Sequence, residues 1–519
     1  MKMRKIILTC FALVLGLSLA FAQSNTNTIN ASGNSNGATT NQYGASNNAY
    51  TSQDGNSNNA SIDQGQTGDN GDTPAVSNYS EAYINQIGNS NSAETNQNGE
   101  GNYSSQYQEG NDNTATITHQ RDFNIGSGTT VPDGNYHTQE QIGNNNYATA
   151  RTYNGPNTGS QYQEGDWNYS KVDQGAAGNE GNNAETSQVG DYNNAFVDQL
   201  GNGFTDNEAF VSQEGDYNDA DVEQSGDDND TEIDQKGNSN TADVAQVGNG
   251  NESDVEQEGD LNTAVLGQSG SYNDASVDQD GASNYAYTGQ SGDDNDAEVG
   301  QEGDGNMADV LQAGNDNDAD VDQDGGWNDA DIAQTGDDNE ADVRQNGSSN
   351  IADVAQSGNN NKYSDYMTGA ANDGNQIYAT QTGDNNKARY EIQGDNNLIN
   401  SDQAGNSNQI FMNLDGNGGL AGGLPGSGES SDNILDLDQD GNSNIISGGL
   451  GDGSNNNAIS VSQTGNANHV TSSNAWTQDG VLIGGSDNSM TITQDGMDNT
   501  SMNTVIGNGN TTTVDQSDY

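Results

Sequence analysis

The chain has little of what a globular enzyme or a nucleic-acid-binding protein needs. Of its 519 residues only 11 are Lys or Arg, against 78 Asp or Glu, so the formal net charge at pH 7 is −67. Only 28% of the residues are hydrophobic, whereas a globular domain has about 45–50%. The shortage of apolar residues argues against an enzyme with a large apolar core, and the shortage of basic ones against a nucleic-acid partner. By composition alone the chain falls among disordered proteins.

Cysteine and long apolar runs are also scarce. The single cysteine, Cys10, lies in an apolar run from Ile6 to Leu19, which follows three basic residues and precedes Ala20-Phe21-Ala22. This is the layout of a secretory signal peptide, and we expect residues 1–22 to be cleaved. The alternative is a membrane anchor, but the run is shorter than the about 20 residues that a spanning helix needs. The mature chain would then have no thiol, no disulfide, no thiolate metal site and no transmembrane span.

What the chain has in abundance is an eleven-residue repeat. Between residues 213 and 361 a Gln recurs every 11 residues, with Gly two positions later and Asn five positions later in every unit. Ala is usual seven positions after Gln and Val, Ile or Leu nine positions after it, so the unit reads Q-x-G-x-x-N-x-A-x-V-x. The glutamines are Gln213, Gln224, Gln235, Gln246, Gln257, Gln268, Gln279, Gln290, Gln301, Gln312, Gln323, Gln334, Gln345 and Gln356. The first asparagines and glycines are Asn218, Asn229, Asn240, Asn251, Asn262, Asn273, Gly215, Gly226, Gly237, Gly248, Gly259 and Gly270.

The repeat extends in both directions with less regularity. It keeps step back to Gln42, and insertions of three residues lengthen the spacing before Gln188 and before Gln213 to 14. It loosens after Gln381, where Gln393 is taken as the next unit. We therefore divide the mature chain into an N-terminal leader (23–41), regular repeats (42–410, most regular over 213–361), a Gly-rich insertion (411–430) and degenerate C-terminal repeats (431–519).

A period of eleven has two structural interpretations. A long helix in a right-handed supercoil is disfavoured by the Gly and Asn in every unit. In a strand, the Asn, Ala, Val and Gln of N-x-A-x-V-x-Q alternate and share one face, while the mostly acidic residues between them share the other. Q-x-G-x-x-N would be the turn, where Gly tolerates positive φ and Asn or Asp the left-handed conformation. We therefore predict an all-β fold, a β-solenoid of strand–turn–strand–turn coils with 22 residues each.

Stacking of such coils explains how a chain with few apolar residues can order. Coils about 4.8 Å apart would place each Gln against the Gln 22 residues away. Buried amides must be hydrogen-bonded, and an amide ladder along the stack satisfies them repeatedly, as in cross-β assemblies. We expect a narrow, partly polar core of Ala and Val flanked by Gln and Asn.

The repeat resembles the curlin repeat, as in the run from Gln301 to Gln312, QEGDGNMADVLQ. The resemblance implies a secreted β-solenoid that polymerises with itself into curli, the extracellular amyloid fibres of bacterial biofilms. It also implies export through a dedicated outer-membrane pore, hence a Gram-negative type of envelope, and a nucleating partner at the cell surface. The chain departs from a typical curlin in being several times longer and far more acidic.

The acidic positions have three interpretations. The sixth and eighth residues after Gln are mostly acidic in the regular array. They can form a solvated outer face that keeps the chain soluble in transit, bind Ca²⁺ or another cation weakly along the ladders, or reflect adaptation to a saline habitat. No EF-hand spacing occurs.

Other candidate sites are sparse, and we expect no catalytic, cofactor or metal-ligating residue. His119, His137 and His469 are scattered, and His119 falls 11 residues after Gln108, in a Gln position. Aromatic residues occupy the fourth position after a Gln, in the turn, where they can stack along a coil edge or bind a glycan. They are Trp167, Tyr217, Tyr272 and Trp327.

The leading functional hypothesis is a secreted structural subunit of an extracellular or cell-surface fibre, serving in biofilm matrix and adhesion. The alternative is a monomeric secreted solenoid that acts as an adhesin or binds a ligand such as a glycan, ice or Ca²⁺. An enzyme is the third, with no residue constellation to support it.

Overall fold

The computed structural model contains β-strands but no helix in the part of the chain that it describes. The described residues are 24–65, 78–120, 134–153, 156–175, 181–200, 206–367, 372–416, 431–451, 454–470 and 481–517. The expected signal peptide, with Cys10, and most of the expected Gly-rich insertion lie outside these residues. The chain divides into two compact units, unit 1 (1–217 and 221–228) and unit 2 (218–220 and 229–519).

Unit 1 consists of short strands separated by tight turns. They are β1 (Thr26–Ser32), β2 (Gly37–Gln42), β3 (Asn48–Asn56), β4 (Asn59–Gln64), β5 (Glu81–Asn89), β6 (Ser92–Gln97), β7 (Tyr103–Asn111), β8 (Thr114–Gln120), β9 (Tyr136–Asn144), β10 (Tyr147–Tyr153), β11 (Thr158–Glu164), β12 (Tyr169–Gly175), β13 (Asn183–Val189), β14 (Asn194–Leu200), β15 (Glu208–Glu214) and most of β16 (Asp219–Asp227).

Unit 2 repeats the same arrangement. Its strands are β17 (Asp230–Lys236), β18 (Thr241–Asn249), β19 (Glu252–Asp260), β20 (Thr263–Ser271), β21 (Asp274–Ala282), β22 (Tyr285–Asp293), β23 (Asp296–Glu302), β24 (Met307–Ala313), β25 (Asp318–Gly326), β26 (Asp329–Thr335), β27 (Glu340–Ser348), β28 (Ile351–Ser357), β29 (Lys362–Met367), β30 (Gln376–Thr382), β31 (Lys387–Ile392), β32 (Leu398–Ala404), β33 (Gln409–Gly416), β34 (Ile434–Asn442), β35 (Ile445–Gly451), β36 (Ala458–Asn466), β37 (His469–Val470), β38 (Val481–Gly484), β39 (Ser489–Met497), β40 (Thr500–Ser501), β41 (Asn503–Ile506) and β42 (Thr511–Ser517).

Successive strands alternate between two parallel sheets in each unit, except near the end of unit 2, where β37 and β38, and likewise β40 and β41, lie on the same sheet. The odd sheet holds the odd-numbered strands up to β35 and then β37, β38, β40 and β41, and the even sheet holds the other strands. In the regular part a strand pairs with the strand 22 residues on, so that β19 lies beside β21 with Gln257 opposite Gln279. The predicted β-solenoid of 22-residue coils is confirmed.

The predicted alternation within a strand is also confirmed. In β21 the side chains of Ala275, Val277 and Gln279 are buried, while Asp274 and Asp278 are exposed. The same pattern recurs along both sheets, so the core is a narrow layer of Ala, Val and Ile lined by buried Gln and Asn. A core with few apolar residues can therefore be ordered, because the apolar side chains that face inward are buried almost completely.

The turns are shorter than the sequence predicts. Strand β20 continues through Gln268 and Gly270, and the left-handed residue is the fourth after Gln, not the Asn at the fifth. This fourth position accepts bulky residues, with φ of 58° at Tyr272 and 59° at Trp327. A left-handed L-residue costs roughly 1–2 kcal/mol, and the Tyr272 amide offsets part of this by donating to the Asn249 carbonyl one coil back, at 3.0 Å.

Insertions and the N-terminal segment fit the same stack. The three-residue insertions leave the register unchanged, since Gln163, Gln188 and Gln213 remain in line. Strand β1 and all but the last residue of β2 fall within residues 23–41, for which the sequence predicts only a leader, and the two strands pair with β3 and β4.

Candidate functional site: the amide ladders and the terminal coils

The predicted glutamines form hydrogen-bonded ladders through the core. On the even sheet of unit 2, each Gln side-chain amide donates to the Gln carbonyl oxygen of the next coil, as Gln268 does to Gln290 at 3.0 Å. On the odd sheet Gln279 donates in the same way to Gln301, at 2.8 Å. All fourteen glutamines of the regular array are buried. The ladder thus satisfies amides that would each cost roughly 1–3 kcal/mol if buried unpaired.

Each amide also ties the two sheets together. The second N–H of Gln334, on the even sheet, donates to the backbone carbonyl of Asp318 on the odd sheet, at 2.9 Å. The same bond, to the residue 16 positions earlier, recurs from Gln235 to Gln356. One side chain therefore links its coil to the next and closes its own coil.

The predicted asparagines and glycines form the turns. The backbone N–H of Asn262 donates to Asn240 Oδ1 one coil back, at 3.0 Å, and its side-chain amide donates to the Gly281 carbonyl, at 3.0 Å. Gly248 has a φ of 129°, and a Cβ there would overlap the carbonyl oxygen of Gly270. The six predicted asparagines are all buried, and the six predicted glycines all have positive φ.

The odd sheet of unit 2 changes its chemistry after β27, which the sequence analysis missed. The position of Gln345 is taken by Met367 in the next coil and then by Ile392. Gln393, read as a repeat glutamine, lies outside the strand, because Gly394 follows it directly and the register places Ile392 inward. An apolar ladder thus replaces the amide ladder on this sheet alone. Its buried members are Met367, Ile392, Leu414, Leu450, Ile483 and Val505.

On the even sheet the amides continue to the C-terminal coil. Gln381, Gln403, Gln439, Gln463 and Gln494 remain in line, and Gln494 donates to Gln516 at 2.7 Å. The C-terminal coils are therefore amide-laddered on one side and apolar on the other.

In unit 1 the ladder of the even sheet is interrupted by a histidine. His119 takes the Gln position next to Gln97, as the sequence predicts, and contacts Thr152 Oγ1 at 2.6 Å and Ser104 Oγ at 2.9 Å. Burial lowers the pKa of His119 to about 3, and likewise lowers that of His137 to about 4. Both imidazole rings are therefore uncharged in the core at pH 7.

Unit 2 contains a buried carboxyl group where the repeat breaks down. Asp365 of β29 lies between Val343 and Tyr390 in the stack and is fully buried. It accepts hydrogen bonds from the Arg344 backbone N–H at 2.8 Å and from the Tyr363 hydroxyl at 3.0 Å. Burial raises the pKa of Asp365 to about 7.

The aromatic residues of the turns stack in line. In unit 1 the rings of Trp167, Tyr192 and Tyr217 are nearly parallel, with centroids 6.2 and 4.9 Å apart. In unit 2, Tyr272 and Trp327 lie against the glycines one coil back, where a Cβ would meet their rings at 2.8 and 3.0 Å. Trp167 and Tyr217 thus show the edge stacking expected from the sequence, whereas Tyr272 and Trp327 pack on glycine.

The terminal coils are the least covered part of the two sheets. Every residue of β1 is exposed, and β42 alternates between exposed and half-buried. In the described residues β2 pairs only with β4, and β42 only with β39. Counting only described residues, one edge of each of these two strands therefore has backbone groups without a strand partner.

Within the described ranges, no three or more His, Cys, Asp or Glu side chains come together as metal ligands. A helix long and apolar enough for a membrane span is likewise not found there.

Comparison with protein families gives repeated matches to one family, described as Curlin associated repeat. The matches cover residues 33–65, 88–118 and, in overlapping copies, 205–364. Over these residues the chain carries the curlin associated repeat. No curated protein matches it. The curlin repeats and the solenoid together fit a curli-type structural subunit rather than an enzyme, and curlin repeats imply an extracellular protein.

Proposed function

We propose that this protein is a secreted subunit that assembles coil end to coil end into extracellular curli-like amyloid fibres, which serve biofilm matrix and surface adhesion. The observation that carries the proposal is that a glutamine ladder of the even sheet reaches the terminal described coil in unit 1 and also in unit 2. Gln42 on β2 donates to Gln64, at 2.9 Å, and leaves its carbonyl oxygen to accept. Gln516 on β42 accepts from Gln494 and keeps an amide N–H to donate.

The two ends match on both sheets. On the even sheet, Gln516 of one copy would donate to Gln42 of the next, as successive glutamines of unit 2 do within the chain. On the odd sheet the apolar ladder ends at Val505, and the first coil carries Ala31, not Gln, opposite Gln53. An amide would thus meet an amide and an apolar residue an apolar residue, in parallel register. Export through an outer-membrane pore and nucleation by a surface partner belong to the same proposal.

The experiment is assembly from denaturant. Residues 23–519 are diluted from guanidinium and followed by thioflavin fluorescence and fibre diffraction. We expect fibres with a meridional reflection near 4.7 Å, the strand spacing of cross-β structures. Persistently monomeric protein without that reflection would overturn the proposal.

A variant of the terminal coil tests whether the fibre grows at the outer edge of β2. The backbone N–H of Gly37 faces β4, so by alternation that of Thr40 faces outward. Thr40→Pro removes this outward donor, and Pro is tolerated on an edge strand. We expect folded Thr40→Pro protein to elongate poorly, whereas Thr39→Ala, whose N–H faces β4, elongates like the wild type. Equal elongation of both variants would contradict growth at this edge.

A further inference from the structure

The two outer faces of unit 2 differ in charge. We define the acidic face as the outward residues of β19, β21, β23 and β25, where 14 of 16 are Asp or Glu. The low-charge face consists of the outward residues of β18, β20, β22 and β24, where 2 of 16 are acidic. The low-charge face comprises Thr241, Asp243, Ala245, Val247, Thr263, Val265, Gly267, Ser269, Tyr285, Tyr287, Gly289, Ser291, Met307, Asp309, Leu311 and Ala313.

The low-charge face exposes apolar side chains around a groove. Val247 is 55% exposed, Met307 48% and Leu311 44%. Beside Leu311, Gly267 and Gly289 leave a groove of about 470 Å³. Exposed apolar side chains around a concave surface are typical of a protein–protein contact.

Electrostatic repulsion opposes contact between the acidic faces of two chains. The pKa values of Asp254, Asp278 and Asp296 are raised by burial and by neighbouring carboxylates, so the charges already repel one another within one chain. Packed sheets lie about 10 Å apart, close to the Debye length of about 8 Å at physiological ionic strength. Two acidic faces would therefore repel at packing distance, whereas two low-charge faces would not.

We infer that the low-charge face is a lateral docking surface for a second copy of this chain, so that two solenoids pack low-charge face to low-charge face. Such a contact is isologous, and Leu311 of one copy can enter the glycine groove of the other. The inference rests on the proposed function, because it concerns how the fibres pair.

The small contact area explains why pairing is expected between fibres and not between single chains. Four strands about 4.8 Å apart, with seven residues of about 3.3 Å each, cover roughly 450 Å² per copy. The total of about 900 Å² is below the usual range for a stable complex. One contact is thus weak, but copies arrayed along a fibre would engage together. The acidic faces point outward from the pair, so association stops at two filaments.

The test uses two glycines that occupy the same place in the repeat. Gly267 and Gly300 each precede a ladder Gln, the first on the low-charge face and the second on the acidic face. A Cβ on Gly267 would meet nothing within 4 Å, and one on Gly300 would lie 3.9 Å from the Val321 carbonyl oxygen. Gly267→Glu and Gly300→Glu therefore add the same charge on opposite faces, with room for the side chain.

The readout is filament mass per unit length by scanning transmission electron microscopy. Wild type and Gly300→Glu are expected to have twice the mass per length of Gly267→Glu. A second pair, Ser291→Glu on the low-charge face against Ser276→Glu on the acidic face, repeats the comparison should Gly267→Glu fail to fold.

Four results would overturn the inferred pairing. Wild-type filaments of single mass per length would do so and leave the proposed function intact, whereas a chain that forms no filaments would overturn both. Equal mass per length in both members of each variant pair would remove the low-charge face from the contact. Single filaments that bind insoluble polysaccharide, with binding lost in Gly267→Glu, would assign the face to a glycan instead.

Discussion

The glycine two positions after each Gln is fixed by geometry at the scale of one residue. Gly292 has a φ of 124°, and a Cβ there would overlap the carbonyl oxygen of Gly314 in the next coil. Gly267 has neither restriction. Glycine is therefore required at one position and replaceable at the other.

We expect Gly292→Ala to destabilise unit 2 by at least about 1–3 kcal/mol, because Ala at positive φ is strained and the coils must separate. Gly267→Ala should be neutral or slightly stabilising, since it reduces the entropy of the unfolded chain. Urea midpoints of the two variants provide the comparison. Equal midpoints would refute the role of coil contact.

Ladder chemistry is specific to the sheet and to the position along it. Gln301→Met leaves Gln279 without its acceptor and Gln323 without its donor, and we expect a loss of roughly 2–4 kcal/mol. Ile392→Gln places an amide between Met367 and Leu414, and should destabilise by a similar amount. The check is the urea midpoint, with Met367→Leu as the conservative control. A neutral Ile392→Gln would show that these coils accept either ladder.

The buried Asp365 makes stability depend on pH. Its pKa is about 7 in the folded chain, above the ordinary value of 3.8, so the folded state binds the proton more tightly. Stability is therefore lowered above pH 7 and recovers as the pH falls toward 4. Asp365→Asn should raise the urea midpoint at pH 8 and change it little at pH 4.5. A midpoint that is equally shifted at both pH values would contradict this assignment.

At the scale of the element, turns and strands differ in what they tolerate. The natural three-residue insertions fall between strands, after β12 and after β14, and Gln163, Gln188 and Gln213 stay in register. Loop-closure entropy changes slowly with length, whereas three extra residues within a strand would turn its downstream side chains to the opposite face.

We expect Gly-Ser-Gly inserted after Asp294, in the turn between β22 and β23, to lower the urea midpoint only slightly. The same insertion after Val299, inside β23, should disrupt the coil. Circular dichroism and urea titration distinguish the two variants. Similar losses in both would show that turn length is constrained.

Much of the element structure could be predicted from the period. The alternation in N-x-A-x-V-x-Q determined which side chains are buried, and Gly with Asn located the turns. The left-handed conformation of the fourth residue after Gln could not be predicted, because Tyr272 and Trp327 are not residue types that favour positive φ. The position of Gln393 outside the strand could not be predicted either, since a Gln next to a Gly resembles the repeat. Only the structure shows that Ile392 takes the core position.

The difference in charge between the two faces is visible in the sequence only when residues 22 positions apart are compared. Pooling all eleven-residue units makes the acidic residues look general, whereas comparison at a spacing of 22 separates Glu252 and Asp274 from Thr241 and Thr263. Which half-repeats share a sheet was the missing information, and the two-sheet solenoid provides it.

At the scale of the whole molecule, repulsion between carboxylates opposes the stacking of coils, and protonation at low pH weakens this repulsion. Burial and the neighbouring carboxylates of Asp342 and Glu298 raise the pKa of Asp320 to about 6. The raised pKa means that the stacked state gains protons as the pH falls, so repulsion is full above about pH 6 and declines toward pH 4.

We expect thioflavin lag times at matched ionic strength to be shorter at pH 5.5 than at pH 7.5, and 0.5 M NaCl to shorten the lag at pH 7.5 by screening. His119 and His137 act in the opposite direction in unit 1, because their lowered pKa values favour folding at higher pH. His119→Gln is therefore included, and should enlarge the acceleration in acid. Slower assembly of that variant at pH 5.5 than at pH 7.5 would contradict the expectation.

The alternation of successive strands between two sheets imposes a parity rule on the gene. Deleting 22 residues from unit 2 removes one coil and leaves every later strand in its place. Deleting 11 residues preserves the spacing of the glutamines but transfers every later strand to the opposite side, so that Asp and Glu would be interleaved with Tyr, Leu and Gly on both. Tandem duplication in this part of the chain is therefore expected to proceed in even numbers of half-repeats.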